Sequence, residues 1–245
     1  MNKLSKLIVG NLKMNLDLDE ISSYLDIVNN NIDNRNVVIC PTSIYIPYFL
    51  CQKYSVGIQN TFFTNQGAYT GEISPKQVDS MGVAYTILGH SERRLYLKET
   101  DEMINKKIIA AVNNYMKVII CIGETLEERK MLKTDKVIKR QIISCLRNLN
   151  KKQLENIIIA YEPIWAIGTN QTPTNKDIGD MIAYIKMLVE NHFQYSSIKV
   201  LYGGSVNEKN IKKLNTIKGV DGYLIGNAST DANQFLKIIE VALNK

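Results

Sequence analysis

Three residues of this 245-residue chain have side chains suited to moving protons, and each follows an apolar run: Lys13, His90 and Glu162. An ammonium supplies positive potential, an imidazole exchanges protons near neutral pH, and a carboxylate accepts one. Singly, the first two carry little meaning, since a lysine after such a run is usually solvated and a lone histidine is usually structural. Glu162 is less ordinary. It ends the run at 157–160 within "AYEPIWAIGT" (160–169), a proline and the only tryptophan, Trp165, follow it, and desolvating a carboxylate is expensive.

The elements that position these groups are legible in the apolar pattern. Short runs recur at 7–9, 37–39, 56–58, 85–88, 118–122, 157–160, 200–202 and 223–225. They are rich in β-branched residues and nearly continuous, as expected of parallel strands buried on both faces. Helical periods lie between them. Leu18, Ile21, Leu25 and Val28 step by three and four, as do Ile178, Met181, Ile182, Ile185 and Val189. The latter helix opens with Thr174-x-x-Asp177, a capping-box pattern. A third helix over 100–115 carries Ile104, Ile108, Ala111 and Tyr115 on one stripe.

Eight strands alternating with helices predict an α/β fold, a single (β/α)8 barrel of eight parallel strands surrounded by helices, as one domain over 1–245. The competing open, doubly wound sheet usually carries a glycine-rich fingerprint after its first strand, and here that strand ends Gly10-Asn11-Leu12-Lys13. In a barrel, chemistry sits just past the C-terminal ends of the strands. Asn11, Lys13, Gln59, Asn60, His90, Glu124 and Glu162 fall there, as do Gly203-Gly204-Ser205 after Tyr202 and Gly226-Asn227. The last two segments follow strands seven and eight, the usual phosphate position of this architecture, where backbone N–H groups point at an anion. The glycines alone would equally permit tight turns. No metal-ligand set, no nucleophilic Ser or Cys beside a base and no cofactor fingerprint is present. The remaining chemistry is proton abstraction next to a carbonyl on a small phosphorylated substrate.

A net charge of +6 suggests anionic partners. The basic residues come as short pairs, Lys106-Lys107, Lys151-Lys152 and Lys212-Lys213, which read as solvated helix faces. No aromatic-interleaved basic motif of the RNA-binding kind occurs. The four cysteines form no CxxC pair; Cys40 and Cys121 lie in apolar runs and read as reduced core thiols, which fits a cytoplasmic location. Neither a signal peptide nor a membrane span is expected.

From end to end the chain resembles the triosephosphate isomerases. The stretches that carry the resemblance are "GNLKMN" (10–15), "GAYTGEIS" (67–74), "LGHSERR" (88–94), "CIGETLEER" (121–129), "AYEPIWAIGT", "YGGSV" (202–206) and "DGYLIGNAS" (221–229). The resemblance implies that Glu162 moves a proton between C1 and C2 of dihydroxyacetone phosphate and glyceraldehyde 3-phosphate. His90 polarises the carbonyl and shuttles protons between the enediolate oxygens, Lys13 supplies positive potential, and Asn11 orients Lys13 and the substrate. Glu92 neighbours the Lys13 ammonium. Backbone N–H groups of Gly168, Ser205, Gly226 and Asn227 hold the phosphate, and Tyr202 supports the site. In that family the imidazole is kept neutral by a helix N-terminus, and Ser91, directly after His90, is expected to cap such a helix. Pro163-Ile164-Trp165 begins a lid continued by residues 166–170, which closes over the phosphate and expels water. The resemblance further implies a homodimer in which Thr70, at the tip of "GAYTGEIS", reaches the partner's Asn11–Lys13 region and Met14 lines the receiving pocket. Cofactor, nucleic-acid and membrane partners are not implied.

Three features depart from the family pattern. The far end of the lid reads Asn170-Gln171-Thr172-Pro173 in place of Gly-Lys-Thr-Ala, which predicts a more restricted hinge. Asn227 stands where a second glycine is usual, and Leu12 where a tryptophan is frequent. Two other readings are compatible with parts of the pattern: another phosphate-binding barrel isomerase of biosynthesis, and a non-enzymatic basic protein that binds nucleic acid.

Overall fold

The computed structural model describes residues 6–166 and 173–243. All eight apolar runs are strands: β1 (Leu7–Asn11), β2 (Val37–Cys40), β3 (Ser55–Ile58), β4 (Tyr85–Leu88), β5 (Lys117–Ile122), β6 (Ile157–Tyr161), β7 (Lys199–Tyr202) and β8 (Gly222–Ile225). Each pairs in parallel with the next, and β1 also pairs with β8, so the sheet closes into a barrel. Helices α1 (Leu18–Asn31), α2 (Ile46–Phe49), α3 (Pro75–Ser80), α4 (Ser91–Tyr96), α5 (Asp101–Asn113), α6 (Leu126–Lys130), α7 (Thr134–Cys145), α8 (Lys151–Leu154), α9 (Asn175–Phe193), α10 (Ile211–Leu214) and α11 (Ala232–Leu243) surround it.

Alternation along each strand divides the apolar residues between two cores. One set fills the barrel interior, Leu7 and Val9 with Ile158, Ala160, Leu201 and Leu224 among it. The other, including Ile8, Ile39, Ile120 and Ile159, packs outward against helices. Both faces are therefore dry, which is why the runs are continuous. The period of two continues past the strand ends: Leu7 and Val9 lead to Asn11, and Ile158 and Ala160 lead to Glu162. Both polar residues are thereby delivered to the mouth of the barrel.

The helix caps follow the sequence closely. Thr174 and Asp177 form both halves of a capping box on α9, and the Thr100 side chain accepts the Met103 N–H at the start of α5. Three expectations fail. Leu18, at the first position of α1, is 49% exposed while Ile21 and Val28 carry the buried stripe. Tyr115 lies past the end of α5 with φ 59° and is 86% exposed, because the helix stops at Asn113 and the chain reverses. Lys107 is no solvated helix residue: it is buried on α5, against Glu99 and Asn60. Among the described residues, no helix is long and apolar enough to cross a membrane.

Candidate active site

At the C-terminal mouth of the barrel lies a cavity of about 550 Å³ lined by Asn11, Lys13, His90, Glu92, Glu162, Ser205, Gly226 and Asn227, with Gly203 and Gly204 beside them. These residues come from the ends of β1, β4, β6, β7 and β8.

Lys13 is held by its backbone as much as by its side chain. Its φ is 54°, left-handed for a residue with a Cβ. Such a conformation costs on the order of 1–3 kcal/mol and persists only where its surroundings impose it. The Lys13 N–H donates to Asn11 Oδ1 at 3.0 Å, and the Lys13 carbonyl accepts from Thr42 Oγ1 at 2.9 Å and Gln59 Nε2 at 2.8 Å. Gln59 also donates to the Cys40 carbonyl, so it acts as a buttress and does not line the cavity. The ammonium thus held reaches Glu92 Oε1 at 2.7 Å.

His90 is itself the N-cap of α4, a correction to the expectation that Ser91 caps it. Its Nδ1 accepts the Glu92 N–H at 3.3 Å. A nitrogen that accepts must present its lone pair, so the proton of a neutral ring resides on Nε2. That Nε2 lies 3.2 Å from Glu162 Oε1, and the other Glu162 oxygen accepts the Ser91 N–H at 3.3 Å. Ser91 therefore serves through its amide. Glu92 Oε2 approaches His90 Nδ1 at 3.4 Å. The result is a continuous polar chain, Lys13–Glu92–His90–Glu162, across the mouth.

Glu162 is 2% exposed. Beneath it, burial pushes the Cys121 thiol well up from its ordinary value, and the Glu162 carboxylate adds to the effect, so this thiol stays protonated. Gly203 makes the close packing possible: a Cβ there would sit 2.8 Å from Glu162 Cγ. Behind the lid's root, Glu124 is fully buried and accepts from Tyr161 Oη at 3.2 Å and Trp165 Nε1 at 2.7 Å, while Arg129 lies 4.3 Å above the indole. Tyr161 and Arg129 lie in stretches quoted for the resemblance but were given no role there, because nothing in their spacing marks one.

The two glycine loops reach the cavity. Gly203, Gly204 and Ser205 flank the cavity on one side and Gly226 and Asn227 on another. Ser205 Oγ donates to the Ala166 carbonyl at 3.0 Å, tying this loop to the turn at Ile164–Ala166. Asn227 opens a 3₁₀ turn, Asn227–Ser229, so no left-handed backbone is demanded where the glycine is replaced. Asn207 and Gln234 also line the cavity and carried no sequence signal. Leu12, the replaced tryptophan, is fully buried and directed away from the cavity into the outer core. Tyr202 is buried next to Gly204 in that outer core, and Thr70 is exposed on its loop; neither lines the cavity. Gly168 and residues 167–172 of the lid lie outside the described residues; Pro173 is buried immediately before the Thr174 cap.

A second charged cluster backs α4. Arg93 Nε donates to Glu99 Oε1 at 2.7 Å, Lys107 Nζ donates to the same oxygen, and Lys107 also donates to Asn60 Oδ1 at 2.9 Å. Burial pushes the Glu99 carboxyl up, but the hydrogen bonds and charges of Lys107 and Arg93 outweigh it and hold it below the usual carboxylate range.

Comparison with known proteins agrees with this geometry. The family model described as triosephosphate isomerase matches residues 6–242. A triosephosphate isomerase of Clostridium botulinum (strain Okra / Type B1) is 41% identical over 242 residues, covering 95% of this chain and 98% of that protein. One from Clostridium tetani (strain Massachusetts / E88) is 38% identical over 242 residues, with 95% of each chain covered. A closed eight-stranded barrel, a buried carboxylate and an imidazole in contact at its mouth, and similarity over nearly the full length lead to one statement: the chain belongs to the triosephosphate isomerase family.

Proposed function

We propose that the chain interconverts dihydroxyacetone phosphate and D-glyceraldehyde 3-phosphate through an enediolate, with Glu162 as base and His90 as neutral electrophile. The observation that carries this reading is the 3.2 Å contact between Glu162 Oε1 and His90 Nε2 in a cavity that also holds Lys13 and both glycine loops. Glu162 takes a proton from C1 of the ketone, the C–H electron pair becomes the C1–C2 double bond, and negative charge develops on O2. His90 donates from Nε2 to O2 and recovers a proton from O1. Return of the proton from Glu162 to C2 gives the aldehyde. A neutral imidazole is nearer in acidity to an enediol than an imidazolium is, so this transfer is balanced. The Nε2–H cannot serve Glu162 and a substrate carbonyl together, so substrate binding displaces the Glu162–His90 contact and frees the carboxylate to reach carbon.

Lys13 stabilises developing oxyanion charge, and Asn11 fixes its backbone. The phosphate sits on N–H groups of Ser205, Gly226 and Asn227, with Gly168 supplied by the lid. The Trp165–Glu124 and Ser205–Ala166 hydrogen bonds support a lid hinged at residues 163–166.

The working form is a homodimer of single-domain subunits in the cytoplasm. Its contact face is supported by exposed apolar residues in the segments that follow β1, β2, β3 and β4: Met14 is 91% exposed, Ile44 69%, Tyr69 46% and Tyr96 73%. A coupled assay with glyceraldehyde 3-phosphate tests the activity. Turnover that vanishes with Glu162→Gln supports it; no turnover by the intact chain refutes it.

A further inference from the structure

A cavity larger than the catalytic one opens at the opposite end of the barrel. Its volume is about 1190 Å³, and it lies where β7, β8 and β1 begin, against α9, α10 and α11. Among the described residues, five lysines line it, Lys6, Lys186, Lys199, Lys212 and Lys218, against one carboxylate, Asp221. That is a net of +4 in one concavity of a chain whose total is +6. The carboxylate is already committed: Asp221 Oδ2 lies 2.7 Å from Lys186 Nζ and accepts the Val200 N–H at 2.8 Å. Among the described residues, Lys199, Lys212 and Lys218 have no carboxylate within ion-pairing distance. The lining also holds apolar residues, of which Ile198 and Val220 are buried.

The catalytic reading makes no use of this end of the barrel. Ammonium groups gathered around one concavity repel one another and raise the positive potential within it. An anion that enters relieves this repulsion, and one with several charges relieves most. Lysine is a compact point charge suited to phosphate oxygens. The hollow is slightly larger than ordinary small-molecule pockets, roughly 300–1,000 Å³. We propose that this cavity is a second binding site, separate from the catalytic mouth, for a polyphosphorylated small molecule whose phosphate chain lies across Lys199, Lys212 and Lys218.

The probes are inorganic tripolyphosphate and ATP, titrated calorimetrically into the full chain with phosphoglycolate saturating the catalytic cavity. Equimolar binding is expected, weakening as salt is raised. The triple variant Lys199→Ala, Lys212→Ala, Lys218→Ala should weaken it by about tenfold or more while kcat/KM stays at the wild-type value. The single reversals Lys199→Glu and Lys212→Glu, on different elements, should each weaken binding, which guards against a triple variant that misfolds. Tighter binding of ATP than of tripolyphosphate assigns the apolar lining residues to a nucleoside; equal affinity assigns recognition to the phosphate chain; both support the site. The proposal is overturned if neither probe binds, if phosphoglycolate abolishes binding, if the lysine variants bind as the wild type does, or if only an oligonucleotide binds through these lysines.

Discussion

At the scale of single residues, the geometry around Glu162 leaves little slack. Its two oxygens are set by His90 Nε2 and the Ser91 amide. Glu162→Asp withdraws the carboxylate by about one methylene. A displacement of about 1 Å at a reacting group is worth roughly 10²-fold in rate. We therefore expect kcat to fall on the order of 10²-fold with KM nearly unchanged; steady-state kinetics retaining wild-type kcat would remove Glu162 from the mechanism. Gly203→Ala tests the same side chain from outside, since its Cβ would come within 2.8 Å of Glu162 Cγ. The base must shift to accommodate it, so kcat should drop by about tenfold or more while the fold survives. Full activity in that variant would show that Glu162 tolerates displacement.

Among the elements, α4 does the most positioning for its six residues. Its cap is His90, its first amides contact Glu162 and His90, its Glu92 holds Lys13, and its Arg93 anchors it to Glu99. The Glu99 cluster is the least expendable part of that anchorage. Glu99→Gln leaves Arg93 and Lys107 without their counter-charge; losing one partner of a buried pair costs about 3–5 kcal/mol. The folded-state carboxyl titrates below its ordinary value of 4.5, so its contribution to stability is complete above the unfolded value and is lost as pH falls through the folded one. Denaturant melts of the wild type should therefore weaken on acidification below about pH 5, and Glu99→Gln should weaken less steeply there. Parallel acid profiles in the two proteins would dismiss this role.

For the molecule as a whole, Met14, next to Lys13 in the chain, is 91% exposed, and Ile44, Tyr69 and Tyr96 are exposed in the segments that follow β2, β3 and β4. Association would bury these residues and press the partner's loop against the backbone that holds Lys13 in its left-handed conformation. Met14→Glu is expected to give a monomer by light scattering, with kcat lowered on the order of 10²-fold as Lys13 loses its support. A fully active monomer would refute the dimer. Charge is also distributed at this scale. Pairs of lysines that look equivalent along the chain have different fates: Lys107 is buried in an ion pair, Lys106 is exposed beside Glu102, and Lys212 faces the basic hollow.

The amino-acid sequence alone determined the strands, the barrel and the delivery of Glu162 and Asn11 to its mouth. Parallel strands buried on both faces demand continuous apolar runs, and a period of two carries on past the strand end, so both signals are local. The helix caps were local for the same reason: Thr174 and Asp177 are three positions apart. What only the tertiary structure decided depends on residues far apart in the chain. Ser91 meets Glu162 across 71 positions, and Lys13 meets Glu92 across 79, a contact that only the family resemblance had implied. No spacing rule encodes such distances. The same holds for the backbone twist at Lys13, imposed by Thr42 and Gln59, and for the choice of His90 as the cap of α4, which sets the nitrogen that bears the proton. Lys107 followed its neighbours into the core because Glu99 and Asn60 waited there. Burial and charge pairing are properties of the closed barrel, and they exist only once the chain has folded around its interior.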